Sequence, residues 1–208
     1  MRVLTVLMPL LACGGCFSVA LDDLAKDPPV KQRYLFDVVI PTNAGDPSRA
    51  QHPVLLVEQV HAASPYNGRP FVYRTGDNTH ETDFFNEFLI SAADQLSQIT
   101  RRWLQDAGVF PVVVSLDSAI TADLWLTIDI TELRGDFRDL QQPSAVLAIR
   151  ASLIDGVSNG GERQVRLQNN YAATVPIAGT DPDLLVAGWN EAIARVLSAL
   201  SEDLERTN

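Results

Sequence analysis

The stretch DLWLTIDIT, residues 123–131, alternates Leu124, Leu126, Ile128 and Ile130 with Trp125, Thr127, Asp129 and Thr131. A strand turns successive side chains to opposite faces, so this period of two gathers four aliphatic residues on one side. The stretch reads as a strand with one face buried. The chain downstream repeats the pattern. VLAIRASLID, residues 146–155, places Leu147, Ile149, Ala151 and Leu153 together. GVSNGGE, residues 156–162, supplies a turn at Asn159-Gly160-Gly161. QVRLQNNYAATV, residues 164–175, returns with Val165, Leu167, Tyr171, Ala173 and Val175 on one face. Three strands joined by connections this short predict an antiparallel meander that is apolar on one side.

That side needs a cover, and the C-terminal segment can provide it. Asp181-Pro182 offers an N-cap and a proline at the first helical position. Leu185, Trp189, Ile193, Val196, Leu200 and Leu204 then recur as a helical stripe. Burying six such side chains is worth on the order of 10 kcal/mol before entropy costs. The helix is therefore expected to be structural and Trp189 to be a core anchor.

Upstream, Leu89, Ala93, Leu96, Ile99 and Trp103 mark a second helix. Ser91 with Asp94 resembles a capping box, with a start near Asn86 as the alternative, and Gly108 suits the position just past the end. YLFDVVI (34–40), VLLVEQV (54–60), FVYR (71–74), HETDFF (80–85) and FPVVVSL (110–116) read as further strands, and residues 41–53 as loop. Asn67-Gly68, within ASPYNGRP (63–70), is a hairpin signal. The expected class is α/β (α+β): a mostly antiparallel sheet of about six to eight strands packed by two main amphipathic helices.

The N-terminus carries a different message. VLTVLMPLLACGGCF, residues 3–17, follows Arg2 and holds both cysteines of the 208-residue chain. Its apolar run is half the roughly 20 residues needed to span a bilayer and contains Pro9. A positive start, a short apolar region and small residues after it fit a secretory signal. LLAC, ending at Cys13, resembles a bacterial lipobox, with Cys16 as the alternative acceptor. A Cys13–Cys16 disulfide would close a tiny loop and stabilise little. The expected organisation is a signal peptide at 1–12, a flexible tether at 13–33 and a single domain at 34–208. Loss of the signal removes one basic residue and no acid from a chain of net charge −10. Such a surface repels nucleic acid and anionic head groups.

No HExxH, GxSxG or P-loop pattern occurs, and the histidines are His52, His61 and His80. DNTHETD, residues 77–83, gathers Asp77, His80, Glu81 and Asp83. It reads as a polar loop, and no metal is expected. Arg101-Arg102 reads as a solvated helix face, with an anion site as the alternative.

The order of parts is itself distinctive. A lipobox precedes YLF; LLVEQV precedes PYNGRPFVYR; then come DFFNEF, a helix ending RRWLQDAGVF, ADLWLTIDITELRGDF, VLAIRASLID and the closing helix. Across residues 34–204 this resembles the ABC-type transport auxiliary lipoproteins, the group that includes paraquat-inducible protein C. The resemblance implies an outer-membrane lipoprotein facing the periplasm. It also implies work beside an inner-membrane ABC permease and ATPase and a mammalian-cell-entry-type protein that moves lipids. The residue after the lipidated cysteine, Gly14 or Phe17, is not the aspartate of enteric-type inner-membrane retention. The expectation is a non-catalytic adaptor with no cofactor beyond its covalent lipid. Tyr66, Arg69, Phe71 and Tyr73 are its expected partner contacts, because PYNGRPF would expose aromatic and arginine anchors. The alternatives are a lipid carrier with its own cavity and a secreted hydrolase. Self-association through a sheet edge is a further expectation.

Overall fold

The computed structural model describes residues 30–42, 53–156 and 163–207. Cys13, Cys16, the signal peptide and most of the tether lie outside the described residues, as does the Asn159-Gly160-Gly161 turn. All elements belong to the unit Lys31–Asn208. In chain order they are β1 (Gln32–Tyr34), β2 (Leu55–Val57), β3 (His61–Ala62), β4 (Pro70–Arg74), β5 (His80–Phe88), α1 (Ala92–Asp106), β6 (Val113–Val114), β7 (Leu124–Asp136), β8 (Ser144–Asp155), β9 (Val165–Pro176) and α2 (Pro182–Thr207). The boundary expected at Tyr34 falls inside β1.

The nine strands form one sheet, slightly more than the expected number. Its long ladders are the antiparallel meander β7–β8–β9, in the predicted register of buried aliphatics. The 13-residue β7 is the spine. On the side away from β8, β2, β3 and β4 lie along it in succession, all parallel to it. The sheet is thus mixed: short parallel ladders join the long antiparallel ones.

This tiling explains two departures from the sequence reading. VLLVEQV is split, because only Leu55–Val57 and then His61–Ala62 pair with β7; Val60 between them donates its N–H to Ser97 Oγ of α1 at 2.9 Å. Asn67-Gly68 makes no hairpin. β3 and β4 both run parallel to β7, so they run parallel to each other and cannot be hairpin partners. From Ala62 to Tyr73 the chain advances eleven residues while β7 advances five, from Ile130 to Gly135. The surplus is the loop around Tyr66.

β7 changes phase midway. Ile130 pairs Ile149 but Glu132 pairs Ala148, so Thr131 is an extra residue. Before it, Leu124, Leu126, Ile128 and Ile130 point to the core; after it, Leu133 and Gly135 do. Glu132, Arg134 and Asp136 are thereby turned to the opposite, outer face.

The inner face is covered by the helices. α2 packs on β8 and β9, and α1 on β2 and β6. All six stripe residues of α2 are buried, Trp189 completely. Asp181 Oδ1 accepts from Asp183 N–H at 2.9 Å and caps the helix. Ser91 Oγ accepts from Asp94 N–H at 3.1 Å, the N-cap half of the expected box, and its hydroxyl donates to the Asp94 carboxylate at 2.6 Å. Gly108 ends α1 with φ 73°, where a Cβ would be strained. Trp103 Nε1–H reaches Ser201 Oγ at 3.1 Å and ties α1 to α2.

YLFDVVI alternates as predicted, with Phe36, Val38 and Ile40 packed on the core and Leu35, Asp37 and Val39 outward. Beyond Tyr34 it joins no ladder. Phe36 N–H donates to Gln95 Oε1 of α1 at 2.7 Å and Asp37 N–H to Asn190 Oδ1 of α2 at 3.1 Å. The segment is a strap, with these two backbone N–H groups satisfied by one side chain from each helix.

Candidate functional site

The segment from Tyr66 to Tyr73 does not form one exposed patch. β4 has a period of two, and Phe71 and Tyr73 share its inner face. Phe71 is 0 % exposed. Its ring lies 5.0 Å from Trp189, 4.7 Å from Phe88 and 5.1 Å from Tyr34. It is a core residue, and the expectation that it contacts a partner is corrected: its aromatic surface is used up inside. Tyr73 is half-buried, stacked on Phe137 at 5.0 Å, and its hydroxyl donates to Asp83 Oδ2 at 2.5 Å. Burial, with the Asp83 carboxylate beside it, pushes this phenol well above its ordinary value. Tyr66 is partly buried near Arg134 and Glu132, and burial raises its phenol despite the neighbouring guanidinium. Arg69 alone is turned to the outer edge.

There Arg69 meets a cluster that sequence reasoning missed. β1 pairs parallel with β5, placing Arg33 opposite Glu87 and Tyr34 opposite Phe88. Gln32 and Tyr34 face inward; Lys31 and Arg33 face outward with Glu87. The Glu87 carboxylate is nearly buried and is contacted by Lys31 Nζ at 3.4 Å, Arg33 Nε at 3.1 Å and Arg69 Nη2. The bond from Arg33, with the fields of Arg69 and Lys31, holds its carboxyl below the usual range. The three cations come from positions 18 to 56 residues away in sequence, so no local pattern could reveal them.

β5 also carries a bulge. Between Val72–Thr82 and Pro70–Glu87, β4 uses two residues and β5 five. Asp83 closes the bulge. Its carboxylate accepts from Phe85 N–H at 2.7 Å, Asn86 N–H at 2.9 Å, Asn86 Nδ2–H at 2.8 Å and the Tyr73 hydroxyl. Burial would raise the Asp83 carboxyl, but these bonds outweigh it and hold the group low. At the apex, Phe84 is 70 % exposed and Phe85 40 %, their rings edge-on at 5.1 Å. Lys31 Nζ sits 4.9 Å above the Phe84 ring. The signal was present in the sequence: adjacent phenylalanines break the period of two in an otherwise polar strand.

On the outer face of the meander, the phase change creates a charged column. Arg134, itself buried, bridges Glu132 at 2.9 Å and Asp136 at 2.8 Å, and Asp136 also takes Arg138 at 2.9 Å. Arg138 and Arg134 hold the Asp136 carboxyl far below the carboxylate range. An open groove of about 670 Å³ runs along this column, floored by Val146, Ala148, Ala172 and Thr174.

The DNTHETD side chains are dispersed. Asp77 lies 3.5 Å from Arg138, Glu81 accepts from Thr75, Asp83 serves the bulge and His80 is exposed. Among the described residues no group of three or more His, Cys, Asp or Glu could hold a metal ion. Arg102 pairs with Asp106 one turn on, at 3.2 Å, and Arg101 lines a shallow groove beside Ser115.

Residues 34–201 match the family described as "ABC-type transport auxiliary lipoprotein component". The fold is shared by a Xanthomonas campestris protein of the DUF330 family at 20 % identity, with a TM-score of 0.72 over 85 % of this chain and 96 % of that one. A second solved structure, of an uncharacterized protein, aligns at 16 % identity and TM-score 0.63 over 84 % of this chain and 99 % of the other. No curated protein matches the chain.

Proposed function

The chain belongs to the family of ABC-type transport auxiliary lipoprotein components, and from that premise we propose that it is a non-catalytic adaptor of an ABC-type lipid transport system, held by an acyl chain on Cys13 or Cys16 at the periplasmic face of the outer membrane. Its partners in this reading are a mammalian-cell-entry-type envelope protein and the ABC permease and ATPase that energise it. The observation that carries the proposal is the extent of the family match, which runs from the end of β1 through most of α2.

The packing supports docking over carriage. The space between sheet and helices is filled by Trp189, Phe71, Phe88 and the aliphatic residues of the meander, which weighs against a carrier with an internal cavity. The outer face is built instead of charged, ordered side chains on rigid strands. Arg138, which closes the Arg134 column and stays part-exposed, offers an arginine of the kind that anchors interfaces.

The test is in-cell cross-linking followed by purification from envelope extracts, with mass spectrometry of the mature N-terminus. Recovery of an ABC permease or a mammalian-cell-entry-type protein, and a diacylglyceryl group on Cys13 or Cys16, are the expected results. An unacylated, freely diffusing product that brings down neither would refute the proposal.

A further inference from the structure

The two phenylalanine rings at the apex of the β5 bulge stand in water and are braced there by the four bonds to Asp83. The apolar surface continues along the same edge. Leu35, the next outward position after Lys31 and Arg33, is half exposed. So is Leu89, just past β5, whose carbonyl lies 3.4 Å from Arg69 Nη1. Charge here is opposite to that of the whole chain. Lys31, Arg33 and Arg69 surround one outward carboxylate, Glu87, and each remains about half exposed. The other acids nearby are Asp83, Asp181 and Asp183, toward the Tyr73 and Tyr34 hydroxyls, and Asp37, one outward position beyond Leu35, so the cations still outnumber the outward carboxylates. At physiological salt the Debye length is about 8 Å, so a surface meeting this edge feels the local cations more than the distant net charge.

We infer that this edge is a membrane-contact face. Phe84 and Phe85 enter the head-group boundary of a bilayer, and Lys31, Arg33 and Arg69 meet anionic phospholipid head groups. The inference rests on the anchoring proposed above. Two features select a bilayer over a protein. Lys31 is where the domain joins the segment bearing Cys13 and Cys16, so an acyl chain there is tethered within about 60 Å of this edge even at full extension. Such a tether supplies a high local concentration, and individually weak contacts then suffice. Aromatic rings beside cations also match the chemistry of an anionic interface, where lasting attachment takes more than one signal.

The test places the photo-cross-linker p-benzoyl-phenylalanine at Phe84, at Phe85 and, as a reference, at the exposed Glu191 of α2 in the full-length protein in its envelope. The expected result is membrane sedimentation in every case and phospholipid adducts from positions 84 and 85 but not 191. Lys31→Gln and Arg33→Gln should lower adduct yield by about fivefold per charge removed. Purified acylated protein should show the same decline in phosphatidylcholine vesicles relative to phosphatidylethanolamine vesicles with about one-quarter phosphatidylglycerol. Membrane-bound protein whose positions 84 and 85 give no adduct, or adducts only to protein or to a second copy, overturns the contact face and leaves the anchoring standing. Protein that does not sediment with membranes sinks both.

Discussion

Phe71 shows how one residue's role turns on which way its strand faces. In PYNGRPF it looks like an anchor for a partner, yet its ring fills the space between Trp189, Phe88 and Tyr34. Phe71→Ala is therefore expected to lower unfolding free energy by about 3–5 kcal/mol, read from urea titration. Arg69→Ala, at the outer edge, should leave the fold near wild type while changing surface behaviour. Equal, small effects from both substitutions would show that Phe71 is not a core residue. Glu87 makes the converse point. As one of two acids in DFFNEF it has no distinguishing mark, but it becomes the centre of a cluster once β1 pairs with β5.

At the scale of elements, β7 matters most. Its bulge at Thr131 lets one strand feed the core with Leu124 to Ile130 and then with Leu133 and Gly135, while Glu132, Arg134 and Asp136 stay outside. Deleting Thr131 removes only the unpaired residue, so Leu133 and Gly135 still face inward opposite Leu147 and Ala145, and the charged residues stay outside on an uninterrupted ladder with β8. The expected outcome is a retained cooperative thermal transition and native near-ultraviolet circular dichroism; loss of cooperative unfolding would contradict it. The contact of α2 with the sheet is equally close. A Cβ on Gly188 would lie 2.7 Å from Ala145 Cβ and 2.7 Å from Ile177 Cγ2. Gly188→Ala should gain roughly 1 kcal/mol of helix propensity but lose more to overpacking, at the upper end of about 1–3 kcal/mol. A net fall in urea midpoint is expected, and a rise would mean that α2 can lift off the meander freely.

For the molecule as a whole, titration links these parts. Asp83, Glu87, Asp136 and Asp203 all have carboxyls held below their ordinary values by hydrogen bonds and neighbouring cations. The folded state then binds fewer protons than the unfolded one in that range. Their stabilisation is complete above the ordinary values of 3.8 and 4.5 and is lost as pH falls through the lowered ones. Tyr34, Tyr66, Tyr73 and Tyr171 carry phenols raised above 10.0, chiefly by burial, so their contribution is intact below that value and declines as pH rises beyond it. The urea midpoint plotted against pH should form a plateau with falls at both ends, and Asp136→Asn should shallow the acid limb. A midpoint that stays constant down to about pH 2 would contradict the acid arm.

The meander, both helices with their N-caps and the aliphatic stripe of α2 were legible along the chain, because each is written in residues close together, and the family was legible in the order of those parts. Periodicities of 2 and 3.6 report which face of an element is buried without reference to any other element. That VLLVEQV splits along β7, that Asn67-Gly68 closes no hairpin and that Phe71 faces in came from the folded arrangement. It alone brought Lys31, Arg33 and Arg69 around Glu87. Those outcomes depend on which distant strand lies alongside and in what direction, and a pairing between residues more than fifty positions apart leaves no imprint on either local pattern.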